Sequence, residues 1–469
     1  MCLSLPVLVL ADTERTLVED ISHAETQRFS DAANDSARLG CTLQIAPQAL
    51  GLLDALVMAL CTQKDTAKAW SQIAVMTAQL GAARADFWPT LTASAAGGYD
   101  HNKSTVPTDA FDNSNTQAKH YGYSLDLNWK LYDFGVTYNR SQSAKFALLS
   151  AIASKDSAVQ RVALEASQAF FDALSAEAQL QAATEAESYA HESMVYTKAR
   201  FTAGIIDVTD QLQAQTAFAS ARIKRISAEG DHRSVIGTLC VTIGRPVDCI
   251  IELDHSDAAT PRADSFSSID ELMREAMRDN PALAAARATA ESAAANYDAV
   301  SAEGHPTISL VASSQSRTQR SVSANNFVSF LSLPPDNLTT DRVIELRVSF
   351  PLFTGFAHKN RVLEARGLAN QAATELEDEE RQLSLLVWKA FQSLRTASEN
   401  YDASQEFVQN AKDFHTASLE RYCAGVGTVI DMLSAQSALA SAETQRISAL
   451  ANWRNAKLQL AAAVGRLTH

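Results

Sequence analysis

The chain lacks any apolar run of the ~18–20 residues that a membrane-spanning helix requires. The nearest, LGLLDALVMALC at residues 50–61, is short and interrupted by Asp54, so a membrane protein built from spanning helices is excluded. Basic residues are in deficit, with 40 Lys and Arg against 54 Asp and Glu and a net charge of −14. A surface of that sign repels a phosphate backbone, and nucleic acid is not expected as a partner. Aromatic residues are only 7% of the chain, too few for a thick aromatic core, whereas alanine is abundant throughout. That mix suits long, closely packed helices. Catalytic signatures are missing too: there is no HExxH, GxSxG, Walker loop or dinucleotide fingerprint, and GVGT at 425–428 lacks the strand and further glycines that phosphate binding needs. No enzyme activity, cofactor or metal site is expected.

Cysteine is sparse, and its spacing excludes a zinc site. Of Cys2, Cys41, Cys61, Cys240, Cys249 and Cys423, the pairs Cys41/Cys61 and Cys240/Cys249 bracket short segments. Each pair could close a disulfide in an oxidising compartment, and buried free thiols fit equally well. MCLSLPVLVLAD opens the chain with an apolar stretch and small residues, Val9 and Ala11, ahead of a cut before Asp12. It has no Lys or Arg in front, so it reads as an export leader of incomplete form or as an ordinary apolar start.

The dominant feature that is present is an internal repeat. RFTAGIIDVTDQLQAQTAFAS (200–220) returns as RYCAGVGTVIDMLSAQSALAS (421–441), with 11 of 21 positions identical at an offset of 221. Gly244-Arg245 returns as Gly465-Arg466 at the same offset, and Pro89 returns as Pro306 at 217. The chain therefore divides into residues 1–47, a first repeat at 48–243, a linker at 244–267 and a second repeat at 268–469. Each repeat reads helix, strand, loop, strand, long helix, turn, helix.

The strands follow from alternation. Tyr121, Tyr123, Leu125, Leu127, Trp129 and Leu131 alternate with Gly122, Ser124, Asp126, Asn128 and Lys130. Ile344, Leu346, Val348, Phe350 and Leu352 alternate with Glu345, Arg347, Ser349 and Pro351. A period of two places all apolar side chains on one face and all polar ones on the other. Strands also follow Pro89 and Pro306, and polar loops are expected over about 101–119 and 316–341. Four strands cannot close a barrel alone, because single-chain barrels need about eight and open edges are not tolerated in hydrocarbon. The sheet is therefore either soluble or shared among subunits.

From Val136 to Ala203 there is neither Gly nor Pro, and the second repeat matches this from about 357 to 424 with only Gly367. A helix of that length spans about 100 Å. Shorter helices are expected at about 48–86, 208–243, 268–303 and 428–464. Gly204 and Gly425 suit left-handed C-terminal caps, and Arg200 and Arg421 suit the negative end of a helix dipole. Asp210 and Asp431 open the following helices. Gln215 and Gln436 have no capping role, and their repetition points to a docking surface or a constriction at the hairpin tip.

Duplicated strand–strand–long-helix units with paired Gly-x5-Asp-x-Leu-x-Ala-Gln turns resemble the TolC family of outer-membrane efflux proteins over about residues 48–466. The resemblance implies a mixed α and β fold. Three copies would close a twelve-stranded transmembrane β-barrel in the bacterial outer membrane, continued by a helical tunnel through the periplasm. It further implies that residues 244–267 belt the tunnel, and that Tyr123, Leu125, Leu127, Trp129, Leu346, Val348 and Phe350 face lipid. The hairpin tips, with Arg200, Gly204, Asp210, Gln215, Arg421, Gly425, Asp431 and Gln436, would lie at the periplasmic entrance. There they would meet an adaptor protein joined to an inner-membrane ABC or proton-driven pump, which supplies the energy. Asp431 matches an acidic ring that narrows the entrance, while Ser434 stands where a second aspartate often follows. Gly427, and Ile206 in the first repeat, stand where an arginine holds better-known entrances shut. The competing reading is a soluble periplasmic coiled-coil scaffold, and Trp129, Tyr132 and Phe350 decide between the two, since lipid or a protein core must cover their face.

Overall fold

Helix breakers, or their absence, set the longest elements. The computed structural model describes residues 49–104, 114–255, 268–323 and 337–466. Among them, α1 (Leu52–Thr62) and α2 (Lys64–Ala85) lead into β1 (Thr90–Ser104) and β2 (Ser114–Tyr132), then α3 (Val136–Thr202) and α4 (Val208–Thr242). The second repeat gives α5 (Ile269–Asp279), α6 (Pro281–Ala302), β3 (Thr307–Ser323), β4 (Asn337–Ser349), α7 (Ala357–Cys423) and α8 (Val429–Val464). Both long helices run 67 residues without interruption, and Gly367 within α7 faces open space.

Two expectations need correction. The helices drawn at 48–86 and 268–303 are each broken, at Gln63 and at Asn280, positions 217 apart. Pro281 explains the second break, since the residue before proline is driven out of the helical region. Asn280 then caps α6 by accepting from the amides of Ala282 and Leu283. The loops drawn at 101–119 and 316–341 are shorter than expected, because the strands continue to Ser104 and Ser323 and resume at Ser114 and Asn337.

The chain forms two compact units, each drawing on both repeats. One takes the described parts of Met1–Ala74, Ser150–Arg287 and Glu375–His469; the other takes Val75–Leu149 and Ala288–Thr374. The first unit is helical. Leu272 and Ala276 of α5 pack with Leu283 of α6, Leu383, Val387 and Leu394 of α7, and Trp453 and Leu460 of α8. A matching cluster joins Ala55 and Met58 of α1 to Phe170, Phe171 and Leu174 of α3 and Leu239 of α4. Burying such side chains stabilises by about 1.5–3 kcal/mol each. The duplication is visible in contacts as well as in order. Gly465 takes a left-handed φ of 95° against the Asp279 carbonyl, and Gly244, with φ 75°, sits against the side chain of the matching residue, Thr62. Cys240 and Cys249 are joined in a disulfide; Cys41, the proposed leader and residues 256–267 of the linker lie outside the described residues.

The second unit holds one antiparallel sheet in the order β1-β2-β3-β4. Its strand-to-helix corners carry the two non-glycine residues with positive φ among the described residues, Phe134 (55°) and Phe356 (67°), each beside a glycine. Asp133 accepts from the Thr137 amide at 2.9 Å to start α3, and Thr354 accepts from the His358 amide at 3.2 Å to start α7.

Candidate functional site

Two regions carry the residues singled out by sequence, and each is described within its own unit. In the sheet, register aligns the alternation across all four strands. Leu127 pairs with Leu91 and Ala312, and Trp129 pairs with Leu310, which pairs in turn with Leu346. The rows through Leu127 and Trp129 are thereby apolar across the sheet, whereas the row through Leu125 runs on to Ser314 and Arg342. The side chains of this face are uncovered in the single chain: Tyr123 is 67% exposed, Leu346 64% and Val348 62%, with Leu125, Trp129 and Phe350 exposed and Leu127 half-buried. The other face is polar. Ser94 and Ser124 hydroxyls meet at 2.7 Å, Ser124 donates to Asp126 at 2.8 Å, and Asp100 lies 2.9 Å from His120 and 3.6 Å from Arg317.

The hairpin tips belong to the helical unit. Gly204 (φ 71°) and Gly425 (φ 79°) take the left-handed conformation expected of them. The amides of Ile205 and Val426 then reach back to the carbonyls of Arg200 and Arg421, each at 3.0 Å, which closes the ends of α3 and α7. The two following helices start differently. Asp207 caps α4 by accepting from Val208, leaving Asp210 half-buried in the first turn. Thr428 caps α8 in a reciprocal box: its hydroxyl accepts from the Asp431 amide at 3.1 Å, and the Asp431 carboxylate accepts from the Thr428 amide at 3.4 Å. Asp431 is otherwise exposed, as is Ser434.

The first tip is tied to the second through residues that the repeat did not single out. Arg200 donates to the Tyr422 carbonyl at 3.2 Å and lies 4.9 Å over the Tyr422 ring. Tyr422 is buried at 2% exposure and meets Tyr196 edge-on at 5.7 Å. Gln436 donates to the Ser193 hydroxyl at 2.5 Å and to the Tyr189 carbonyl at 3.4 Å. Its repeat partner Gln215 is exposed, as is Arg421. The signal for these partners was present as spacing: Tyr189, Ser193, Tyr196 and Arg200 recur at helical intervals along one face of α3. Gly427 is tightly packed against the preceding helix end. A Cβ there would lie 2.9 Å from the Tyr422 nitrogen and 3.1 Å from the Arg421 carbonyl carbon. Around the tips Ile205, Val208, Leu212, Val426 and Ile430 are exposed.

A family model described as outer membrane efflux protein matches residues 55–239 and 272–466. The chain belongs to this family of TolC-type outer-membrane efflux and secretion channels, non-enzymatic transport proteins whose channel extends into the periplasm. Protein CyaE of Bordetella pertussis is 28% identical over 418 residues, covering 89% of this chain and 84% of CyaE. The alkaline protease secretion protein AprF of Pseudomonas aeruginosa is 23% identical over 322 residues, covering 69% of this chain and 65% of AprF. A crystal structure of CusC shares the fold with a TM-score of 0.74 at 16% identity, over 91% of this chain and 95% of that one.

Proposed function

We propose that three copies of the chain assemble into one duct that carries a polypeptide out of the cell. The carrying observation is the open four-stranded sheet, apolar on one exposed face and charged on the other. Backbone groups on the outer edges of β1 and β4 need partners in hydrocarbon. Three sheets joined β4 to β1 supply twelve strands, enough for a closed barrel. Tyr123, Leu125, Leu127, Trp129, Leu346, Val348 and Phe350 then meet lipid, and the polar face lines the pore.

At the other functional region, the hairpin tips form the periplasmic entrance and dock an adaptor bound to an inner-membrane pump. The exposed Ile205, Val208, Leu212, Val426 and Ile430 supply apolar contacts to that adaptor, beside Arg421 and Gln215. Asp431, one per copy, forms an acidic ring that favours cations. The duct is passive, and the pump supplies the driving force. A relative named for protease secretion favours a polypeptide cargo, carried unfolded, over a small compound. Detergent-extracted protein in a planar bilayer is expected to give uniform cation-preferring single-channel steps. A monomer that stays in solution without detergent and gives no conductance would sink the proposal.

A further inference from the structure

The internal repeat also assigns a contact that one copy cannot make by itself. Glu303, just past the end of α6, is bound by two arginines: Arg140 of α3 at 2.6 Å and Arg361 of α7 at 2.8 Å. Its carboxylate is 17% exposed. The two arginines are themselves repeat partners, 221 positions apart, and Glu303 has its own partner 217 positions earlier, Asp86, just past the end of α2. Asp86 is exposed and makes no ion pair among the described residues.

Strand order explains why. The end of α6 leads into β3, which lies between β2 and β4, so Glu303 has an α3 start on one side and an α7 start on the other. The end of α2 leads into β1, an edge strand, so Asp86 has an α3 start on one side and nothing on the other. We propose that Asp86 of one copy pairs with Arg361 of the next. This joins the Arg140–Glu303–Arg361 cluster of one copy to Asp86 of the next, at the joint between strands and helices. The proposal rests on the trimeric reading above.

A second contact repeats the pattern. Within the chain the Phe134 ring stacks on His305 at 5.5 Å. The position matching His305 is Trp88, 63% exposed. The position matching Phe134 is Gly355, flanked by Phe353 and Phe356, which are 76% and 66% exposed. The seam between copies thus has an aromatic half beside its ionic half, and its occupant is a second copy of this chain. Alternating charges joined in a network outlast isolated surface pairs, which contribute little singly.

The test is a cysteine pair, Asp86→Cys with Arg361→Cys, oxidised in the detergent-extracted full chain and run without reductant. A covalent trimer band is expected from the double variant and from neither single variant; Cys423 is present in all three and controls for stray coupling. Native mass measurement of the unmodified chain runs alongside. A trimer mass without the covalent band overturns the pairing and leaves the trimer standing, whereas a monomer mass overturns both. As a check on charge, Asp86→Asn is expected to lower the urea midpoint for trimer dissociation at low salt, with the difference vanishing near 1 M salt, where charges are screened within about 3 Å. A difference that persists at high salt would assign Asp86 to packing and overturn the ionic role.

Discussion

Arg200 donates to the carbonyl of Tyr422 at 3.2 Å while its guanidinium covers the Tyr422 ring. One side chain of the first hairpin therefore closes the last turn of the second long helix, serving a dipole other than its own. Cation–π and charge-assisted hydrogen bonds of this kind contribute about 1–3 kcal/mol together. Arg200→Met is expected to raise amide exchange at Tyr422 to Ala424 by roughly tenfold, with α5 and α6 unaffected. Uniform acceleration across both regions would show global destabilisation instead of a local tie.

Asp431 has two separable roles. As a capping-box residue it receives and gives one bond with Thr428; in the proposed duct it is also the entrance charge. Thr428→Ala removes the cap and is expected to cost about 1 kcal/mol locally with cation preference retained. Asp431→Asn keeps a capping-competent side chain and removes the charge. It is expected to reduce cation preference and to weaken block by divalent ions from the periplasmic side. Identical selectivity for both variants would reduce Asp431 to its structural role.

His415 lies 5.6 Å from the Tyr189 ring, and burial holds its pKa below the ordinary 6.5. The folded tip thus prefers neutral imidazole. The stability from that preference is complete above about pH 6.5 and is lost as pH falls toward the lower folded value. Between pH 7 and 5 the thermal midpoint of wild type is expected to fall further than that of His415→Gln. Parallel curves would show that carboxylates alone carry the acid sensitivity.

Arg454 is buried at 8% exposure over the Phe171 ring, its Nε has no hydrogen-bond partner, and burial lowers its pKa. A buried guanidinium with Nε left without a partner costs stability. Arg454→Met is expected to raise the unfolding midpoint by about 1–3 °C. The repeat partner Arg233, exposed and paired with Glu229, supplies the control: Arg233→Met should change little. A fall in midpoint for Arg454→Met would mean that the guanidinium holds a partner in the assembly.

Most of the helical architecture was legible because helix breakers are so few: Gly204, Gly244, Gly425 and Gly465 mark ends within a residue or two of where they fall. The strand cores were legible from strict alternation. Strand ends were not, because His101, Asn102 and Lys103 are polar in succession and give no period to read. Asn280-Pro281 announced its break, whereas Gln63 carried no local signal, and only its repeat partner pointed to it. The tip residues were found through duplication, but their partners were not. Tyr422 lies 222 positions from Arg200 and Ser193 lies 243 from Gln436, and such distances are bridged by packing alone.

The backbone beneath Gly427 is tight enough that a side chain there requires the turn to shift, which bears on how the proposed entrance can be retuned. A charged or bulky residue at that position comes with a shift of the turn against Arg421 and Tyr422, so a step toward a tighter entrance carries a backbone cost there. Changes at 431 and 434 meet no such obstacle. Under the proposed assembly, one altered codon at either site replaces three side chains around a common axis at once. Under that assembly, permeability is open to change at two codons with little backbone cost, and at a third only with a shift of the turn.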